Sequence, residues 1–141
     1  MKDRINLGKA IKFILIAVGI FIIGIGVFMF FRIRANAKTA LREAKNVYLA
    51  LYTTDIEYYA QGKSIYDHSK PDGIADGVKE VVNRLADADG KYIITSYNVR
   101  KREVTGLQYR SGHYLVTFTK KDGEEVWTVD YSMRLYRMTD E

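Results

Sequence analysis

The chain has 141 residues, a length that fits one ordinary domain and excludes a multidomain enzyme. It carries 22 lysines and arginines against 17 acidic residues, and the formal charge of +5 would favour an acidic partner such as nucleic acid or a membrane surface. That excess lies within residues 1–37, which hold six basic residues and one acidic residue, whereas the other 104 residues carry 16 of each sign. Cysteine is absent, which excludes disulfides, thiolate metal sites and cysteine nucleophiles.

Residues 13–31 form the most apolar segment, with 19 consecutive residues that carry no charge, of which 14 are Ile, Leu, Val or Phe. As a helix this segment extends about 28 Å, close to the ~30 Å hydrocarbon core of a bilayer. A buried core helix, the alternative, would need apolar partners on every side, and the mostly amphipathic remainder does not supply them. We therefore predict a single membrane-spanning helix, with the lipid bilayer as its partner.

Basic residues flank this segment on both sides. Lys9 and Lys12 precede it, and Arg32 and Arg34 follow it. The positive-inside count is nearly balanced, but a short basic N-terminus before an apolar run is typical of a signal-anchor, and long C-terminal domains cross the membrane largely regardless of charge. We therefore expect the N-terminus inside the cell, a basic tail over residues 1–12, the membrane segment over residues 13–31, and an extracytoplasmic head over residues 32–141.

The residues Ala35-Asn36-Ala37 match a signal-peptidase site and offer another interpretation, a secreted domain released after Ala37. The apolar run is longer than the usual 7–15 residues of a signal peptide, and two arginines separate it from this site. An uncleaved anchor is therefore favoured.

The segment after the apolar run continues as an amphipathic helix, because no helix breaker separates the two. Its apolar residues recur at steps of three and four, which indicates one buried helix face: Leu41, Ala44, Tyr48, Leu51, Tyr52, Ile56 and Tyr59. Gly62 offers a left-handed helix terminator. The sequence predicts one helix from about residue 10 to about residue 60.

A second, short helix is predicted from about residue 74 to about residue 85, where the apolar residues share a face: Ile74, Val78, Val81, Val82 and Leu85. From Lys91 onward the apolar pattern has a period of two, with turn signals after Val99, at Ser111-Gly112 and at Asp122-Gly123. This pattern predicts an antiparallel meander of three or four strands.

Two tight turns each define a strand register, and in both registers the large apolar residues fall on one face. A turn at Ser111-Gly112 pairs Tyr109 with Tyr114, Leu107 with Val116 and Thr105 with Phe118. A turn at Asp122-Gly123 pairs Tyr114 with Tyr131, Val116 with Val129 and Phe118 with Trp127. The other face takes His113, Thr117, Thr128, Asp130 and Ser132. The sequence thus predicts an α+β fold, with a one-sided meander packed on the long helix.

A short basic leader, one long helix that is apolar and then amphipathic, and a meander packed on its second half together resemble type IV pilins and pseudopilins over nearly the whole chain. Residues 40–48, ALREAKNVY, are similar to the segment after the apolar run in some Gram-positive members. The resemblance implies that a dedicated peptidase cuts after Gly8, leaving Lys9 as the new N-terminus. It also implies that the subunits stack their apolar helices in the core of a pilus or pseudopilus, with other copies or pilin-like subunits as partners.

Two features depart from the usual family pattern. Phe13 stands at the fifth residue after the cut, where the family usually carries the Glu that registers one subunit against its neighbour. The apolar helix contains three glycines and none of the proline that often interrupts it in the family. A minor pseudopilin or a pilin-like protein that stays in the membrane accommodates these departures better than a major pilin. The alternative from another class is a permanent single-pass membrane protein whose head binds a partner.

Nothing in the sequence indicates catalysis. His68 and His113 are the only histidines, and nothing near His113 supplies the nucleophile or the orienting carboxylate that general-base catalysis needs. We expect no enzymatic activity and no cofactor.

Four aspartates are weak candidates for a calcium site, because carboxylates at alternate positions before a glycine can converge oxygens on a cation: Asp72, Asp76, Asp87 and Asp89. The second pair lacks a bidentate Glu at the loop spacing, and turns and helix ends also require Asp and Gly. Turn chemistry is therefore the favoured interpretation, and we expect no metal.

Arg100, Lys101 and Arg102 form a basic corner that could contact phosphates, with tyrosines nearby to stack on bases. Because residues 38–141 carry no net formal charge, a solvated turn is favoured and nucleic acid is not expected as a partner. The tyrosines at positions 109, 114 and 131 form a predicted cross-strand row, for which core packing is favoured over a ligand platform.

Overall fold

The computed structural model describes residues 2–131, with side chains described from Asn6 onward. Within those residues lie, in chain order, α1 (Lys2–Ala60), α2 (Val78–Ala86), β1 (Lys91–Asn98), β2 (Glu103–Ser111), β3 (Tyr114–Lys121) and β4 (Glu124–Tyr131). The strands form one antiparallel sheet in the order β1-β2-β3-β4. The predicted α+β fold, with one long helix, one short helix and a meander, is confirmed.

The chain divides into two compact units, Met1–Asn36 and Ala37–Glu141. In the first unit the large apolar side chains of α1 are exposed, and its most apolar stretch has no buried residue. By length and composition this helix could cross a membrane. Gly19, Gly24 and Gly26 do not interrupt it, and α1 begins at Lys2, earlier than the predicted start near residue 10.

In the second unit, α1 packs on the sheet through small and medium side chains. Ala40, Ala44 and Leu51 are buried, and the ring of Tyr48 lies 4.7 Å from the ring of Phe118. This contact, part of one core cluster that also includes α2, covers the apolar face of the sheet.

The predicted apolar stripe of α1 is correct in its first half and wrong in its second. Tyr52, Ile56 and Tyr59 are 55%, 56% and 66% exposed, while Thr54 and Asp55 are buried. In this part of the helix the large apolar residues lie on one face, and the face beside it, with Thr54 and Asp55, packs on the sheet. The spacing of apolar residues alone does not show which of the two faces is buried. Hydrogen bonds from β1 and the β1–β2 turn to Asp55 decide the inward stripe.

Helix α2 begins at Val78, four residues later than predicted, because Gly77 precedes it in the left-handed conformation with φ 82°. Ile74 instead forms a short bridge with Tyr66. The helix ends at Ala86, and its C-cap residue Asp87 also adopts a left-handed conformation. Its inward face ends at Ala86, and Leu85, predicted to face inward, is 54% exposed.

The β3–β4 register is as predicted, with Tyr114 opposite Tyr131 and Phe118 opposite Trp127. Its turn at Asp122-Gly123 has positive φ at both central residues, 53° and 81°, as a type I′ hairpin requires. The Asp-Gly pair therefore fixed this register from local chemistry alone.

The β2–β3 register differs from the prediction by two residues, since Ser111 pairs with Tyr114 and the turn is Gly112-His113. Gly112 alone has positive φ there, 59°, and a glycine at the first central position is the type II′ arrangement. Consequently Tyr109 lies opposite Val116, and Leu107 lies opposite Phe118. A shift of two residues keeps every side chain on its predicted face, so the apolar face is unchanged.

Strand β1 carries an irregularity that the sequence did not reveal. Its register against β2 shifts on either side of Ser96, opposite Gly106. A Cβ at Gly106 would collide with the Thr95 hydroxyl, so this position requires glycine. The bulge turns Tyr97 toward α1, where its hydroxyl meets Asp55.

The second face of the sheet is polar where the alternation predicted it, with Thr128 and Asp130 exposed. Three residues on that face are nevertheless buried: Ile93, Gln108 and Leu115. Ser132, also predicted for this face, lies outside the described residues.

Candidate functional site

Asp55 on α1 is the one buried charged side chain among residues 6–131. One carboxylate oxygen accepts a 2.8 Å hydrogen bond from the Tyr97 hydroxyl on β1, and the other accepts a 3.1 Å bond from Arg102. A buried carboxylate is tolerated only when it is paired and hydrogen-bonded, and these two donors meet that need. Burial and the bond to Asp55 raise the pKa of Tyr97 to about 12.

Arg102, predicted as part of a solvated corner, is instead a structural residue. The same nitrogen that pairs with Asp55 also donates to the carbonyl of Lys63 at 2.9 Å. The guanidinium lies 4.7 Å from the ring centroid of Tyr59, a cation–π contact. These three contacts hold the β1–β2 turn against the end of α1, and the possible surface contact of Arg102 stays a prediction.

A second polar link joins α1 to the sheet through Glu43. Its carboxylate accepts a 2.8 Å bond from the Tyr109 hydroxyl, which in turn accepts a 3.0 Å bond from the Gly90 amide. Burial, and then the bond to Glu43, raises the pKa of Tyr109. A Cβ at Gly90 would collide with the Tyr109 ring. The backbone of residue 90 can therefore lie this close to the Tyr109 hydroxyl only because residue 90 is glycine. The core interpretation of Tyr109 is confirmed.

The other two tyrosines of the predicted row meet each other at the end of β4. The rings of Tyr114 and Tyr131 lie 5.5 Å apart, and His113 lies 5.7 Å from Tyr131. Tyr131 is 61% exposed, so the row is core at Tyr109 and surface at Tyr131. His113 is exposed at the β2–β3 turn, as predicted.

The outward side of α1 in the second unit carries an exposed apolar stripe, here called the outer ridge. Its members are Leu49, Tyr52, Ile56 and Tyr59, which are 55–66% exposed. They recur at steps of three and four residues and therefore lie on one helix face. Four large apolar side chains aligned and exposed in this way form one continuous apolar stripe instead of scattered exposure.

The four candidate aspartates do not converge. Asp72 pairs with Lys79 and accepts a 3.1 Å bond from the Ile74 amide, while Asp76 lies 3.0 Å from Lys70. Burial acts to raise the pKa of Asp72, but its bonds to Lys79 and to the backbone outweigh burial and lower that pKa.

No group of three metal-ligating side chains occurs within the described part of the chain. Asp87 serves as the left-handed cap of α2, and Asp89 is exposed in the loop that follows it. The bonds of Asp72 and the position of Asp87 correspond to the turn chemistry favoured from the sequence.

The remaining predicted positions are exposed. Gly8, Lys9 and Lys12 lie within α1 ahead of the apolar segment, and Arg32 and Arg34 follow that segment on the same helix. Arg100 and Lys101 lie at the exposed β1–β2 turn. Comparison with protein-family models, curated proteins and solved structures finds no match for this chain.

Sequence reasoning missed the network centred on Asp55 and the link centred on Glu43. The sequence offered one signal for the first of these. Asp55 interrupts an otherwise apolar stretch of the helix, and Tyr97 lies on a predicted strand from which its hydroxyl could reach the helix. Partners separated by 42 residues, as Asp55 and Tyr97 are, cannot be matched by local spacing.

Proposed function

We propose that the chain is a pilin-like structural subunit, anchored in the membrane by the first part of α1 and assembling with other copies or pilin-like subunits through this helix. The resemblance of its architecture to type IV pilins and pseudopilins motivates the proposal. The fold that this requires, a long helix with an antiparallel meander on its second half, is the fold of this chain.

The observation that carries the proposal is the outer ridge. Apolar side chains are exposed in the first unit, where lipid or neighbouring helices would cover them, and exposure continues on the outward side of α1 in the second unit. A lipid-spanning segment alone does not explain Leu49, Tyr52, Ile56 and Tyr59, which lie beyond it on the folded head. Packing against another subunit would cover the outer ridge.

In the proposed precursor, the N-terminus is inside and the head is outside. Processing then cuts after Gly8 and leaves Lys9 as the first residue, so the apolar helix enters a filament or pseudopilus. An intact mass measured on protein from the native host tests this step. A chain beginning at Lys9 supports processing, whereas a full-length product found only in membranes contradicts it.

Substitutions on the outer ridge test assembly separately from processing. The double variant Tyr52→Glu/Ile56→Glu adds two charges to the ridge and should abolish filaments recovered by shearing. The matched variant Asn83→Glu/Thr128→Glu adds the same charge to exposed positions on α2 and β4, off the ridge, and should leave assembly intact. Equal assembly of both variants and the unmodified chain would contradict a role for the ridge.

A permanent single-pass protein with a partner-binding head is the second candidate, and a specific position favours it. Phe13, with Lys12 beside it, replaces the Glu that usually registers pilin subunits. This candidate predicts full-length protein in the membrane and no sheared filaments, so the same two measurements separate the candidates.

A further inference from the structure

The outward face of α1 in the second unit has a regular repeat of exposed side chains. Seven exposed residues recur at alternating steps of four and three: Lys38, Arg42, Lys45, Leu49, Tyr52, Ile56 and Tyr59. This is the spacing of the seam along which one helix packs on another in a coiled coil. The seven residues are here called the heptad seam, and the outer ridge is its C-terminal part. Its first three members are here called the basic half.

The basic half has no counter-charge on this chain. Its three cations make no ion pair with any residue that the structure describes. Glu43 is turned toward the sheet, where its carboxylate accepts the bond from Tyr109. Glu125 on β4 lies opposite Lys120 in the strand pairing. The basic half is therefore free to pair with acids of another molecule.

A second copy of this chain does not supply those acids through the same helix. From residue 6 to residue 60, α1 carries three acids, of which Glu43 and Asp55 are bonded to tyrosines of the sheet. Glu57 is exposed, but one carboxylate cannot meet three cations spread along about 10 Å of helix. Two copies aligned in register would place like charges together, which is unfavourable.

A layer of lipid headgroups is too thin to contact all three cations at once. This layer is about 5–7 Å thick on each side of a bilayer, whereas Lys38 and Lys45 are separated by about 10 Å along the helix. A helix that stands across the bilayer therefore leaves part of the basic half beyond the headgroups.

We propose that the heptad seam packs against a helix of a different protein, which presents acids to the basic half and apolar side chains to the outer ridge. The proposal rests on the proposed function, in which α1 packs against another subunit, and it names the chemistry of that subunit. The apolar half supplies most of the affinity, while the opposite charges select the partner and its register. The same charges disfavour pairing of the chain with itself.

A charge-reversed copy of the full-length chain serves as the probe, because it has the chemistry of the proposed partner. Lys38→Glu/Arg42→Glu/Lys45→Glu replaces the three cations with acids and keeps the outer ridge. The chain has no cysteine, so Thr128→Cys on the exposed face of β4 gives each chain a single site for a donor or acceptor dye. Energy transfer between chains is measured in neutral detergent with a large excess of micelles. Because Lys45 also lies 5.7 Å from the Trp127 ring, thermal unfolding checks that the reversed copy is folded.

The unmodified chain and the reversed copy should associate at least about tenfold more tightly than either associates with itself. This preference should decrease as salt is raised, because exposed ion pairs are screened. Tyr52→Glu/Ile56→Glu in the unmodified chain should remove the association, since it disrupts the apolar half. The matched reversal Lys91→Glu/Arg100→Glu/Lys101→Glu makes the same charge change at exposed positions of β1 and the β1–β2 turn. It should bind the unmodified chain within about twofold of the self-association of that chain.

Three results would overturn the proposal. Equal energy transfer in like and mixed pairs would show that the basic half lies outside the contact. An equal gain from the matched reversal would assign the preference to overall charge. Loss of the mixed pair when anionic lipid is added to the micelles would assign the three cations to lipid headgroups. The mass of the mature chain and the filaments recovered by shearing test the proposed function separately, so the two failures are distinguishable.

Discussion

Arg100 and Arg102 stand two residues apart on the same turn, yet their surroundings are opposite. Arg100 is exposed without an ion pair among the described residues, whereas Arg102 contacts Asp55, Lys63 and Tyr59. The difference follows from the backbone, since Arg102 has a φ of 53° that belongs to a tight turn back toward α1. A run of three like charges in sequence therefore contains one structural residue, Arg102, and two solvent-facing residues, Arg100 and Lys101.

The first prediction compares these two arginines. Arg102→Gln should lower the free energy of unfolding by about 2 kcal/mol, because it leaves the buried Asp55 with one donor. This loss is smaller than for a fully buried pair, since Arg102 is itself partly exposed. Arg100→Gln should change the free energy of unfolding by less than about 0.5 kcal/mol. Denaturant titrations of both variants measure the contrast, and equal effects would contradict the assigned roles.

The Tyr92 hydroxyl supports a second prediction. This side chain is 4% exposed, and its hydroxyl oxygen is buried without a hydrogen-bond partner among the described residues. A buried unsatisfied hydroxyl costs stability, so Tyr92→Phe should raise the free energy of unfolding by about 1 kcal/mol. Tyr97→Phe, which removes a satisfied hydroxyl, is the control and should lower it. A loss of stability in Tyr92→Phe would show that its hydroxyl has a partner.

The third prediction concerns alkaline pH and Tyr97. Its pKa rises from 10.0 to about 12 on folding, so the folded state favours the neutral phenol. This stabilisation is complete below pH 10 and is lost as the pH rises toward about 12, because the unfolded chain ionises first. Across that window the unmodified chain should lose up to about 1.4 kcal/mol per pH unit more than Tyr97→Phe. Parallel pH profiles of the two proteins would contradict the shift.

At the scale of elements, the residues of the two tight turns explain why the β3–β4 register was predicted correctly and the β2–β3 register was not. Asp122-Gly123 satisfies a type I′ turn with both residues at positive φ. Ser111-Gly112 suggested the same solution, but only Gly112 has positive φ, and the turn moves one residue along to include His113. A glycine in a predicted hairpin can thus occupy either the first or the second central position of the turn. The pairing of the flanking strands determines which of the two positions it takes.

The fourth prediction tests that turn. Gly112→Ala places a Cβ in open space, so its cost is purely that of a left-handed backbone, about 1 kcal/mol. Ser111→Ala, at the predicted but unused turn position, adds no backbone strain and removes only a side-chain hydrogen bond to Tyr109, so it should cost less than Gly112→Ala. Thermal unfolding of both variants measures the difference, and the opposite order of effects would support a turn at Ser111-Gly112.

For the whole molecule, the buried core lies entirely in the second unit. Every buried hydrophobic residue described lies between Ala40 and Phe118, while the first unit exposes its apolar side chains. The +5 charge has the same division, because it resides in residues 1–37 and not in residues 38–141. The packed core therefore lies in the second unit, and the apolar segment that could cross a membrane lies in the first.

The fifth prediction follows from this division. A fragment of residues 37–141 should remain in the supernatant without detergent and unfold cooperatively at the temperature of the full chain, because no core residue is removed. Ultracentrifugation and thermal circular dichroism measure both properties. A fragment that is unfolded, or that melts well below the full chain, would show that the first unit stabilises the second.

The sequence by itself determined the long helix, its apolar segment, the meander and the β3–β4 register, because each depends on local periodicity or on the φ preferences of two adjacent residues. Only the tertiary structure decided which stripe of α1 faces the sheet, which arginine of the basic corner is structural, and where the β2–β3 turn lies. Those features depend on partners distant in sequence, such as Asp55 with Tyr97 and Glu43 with Tyr109, which meet only after the sheet has packed on the helix.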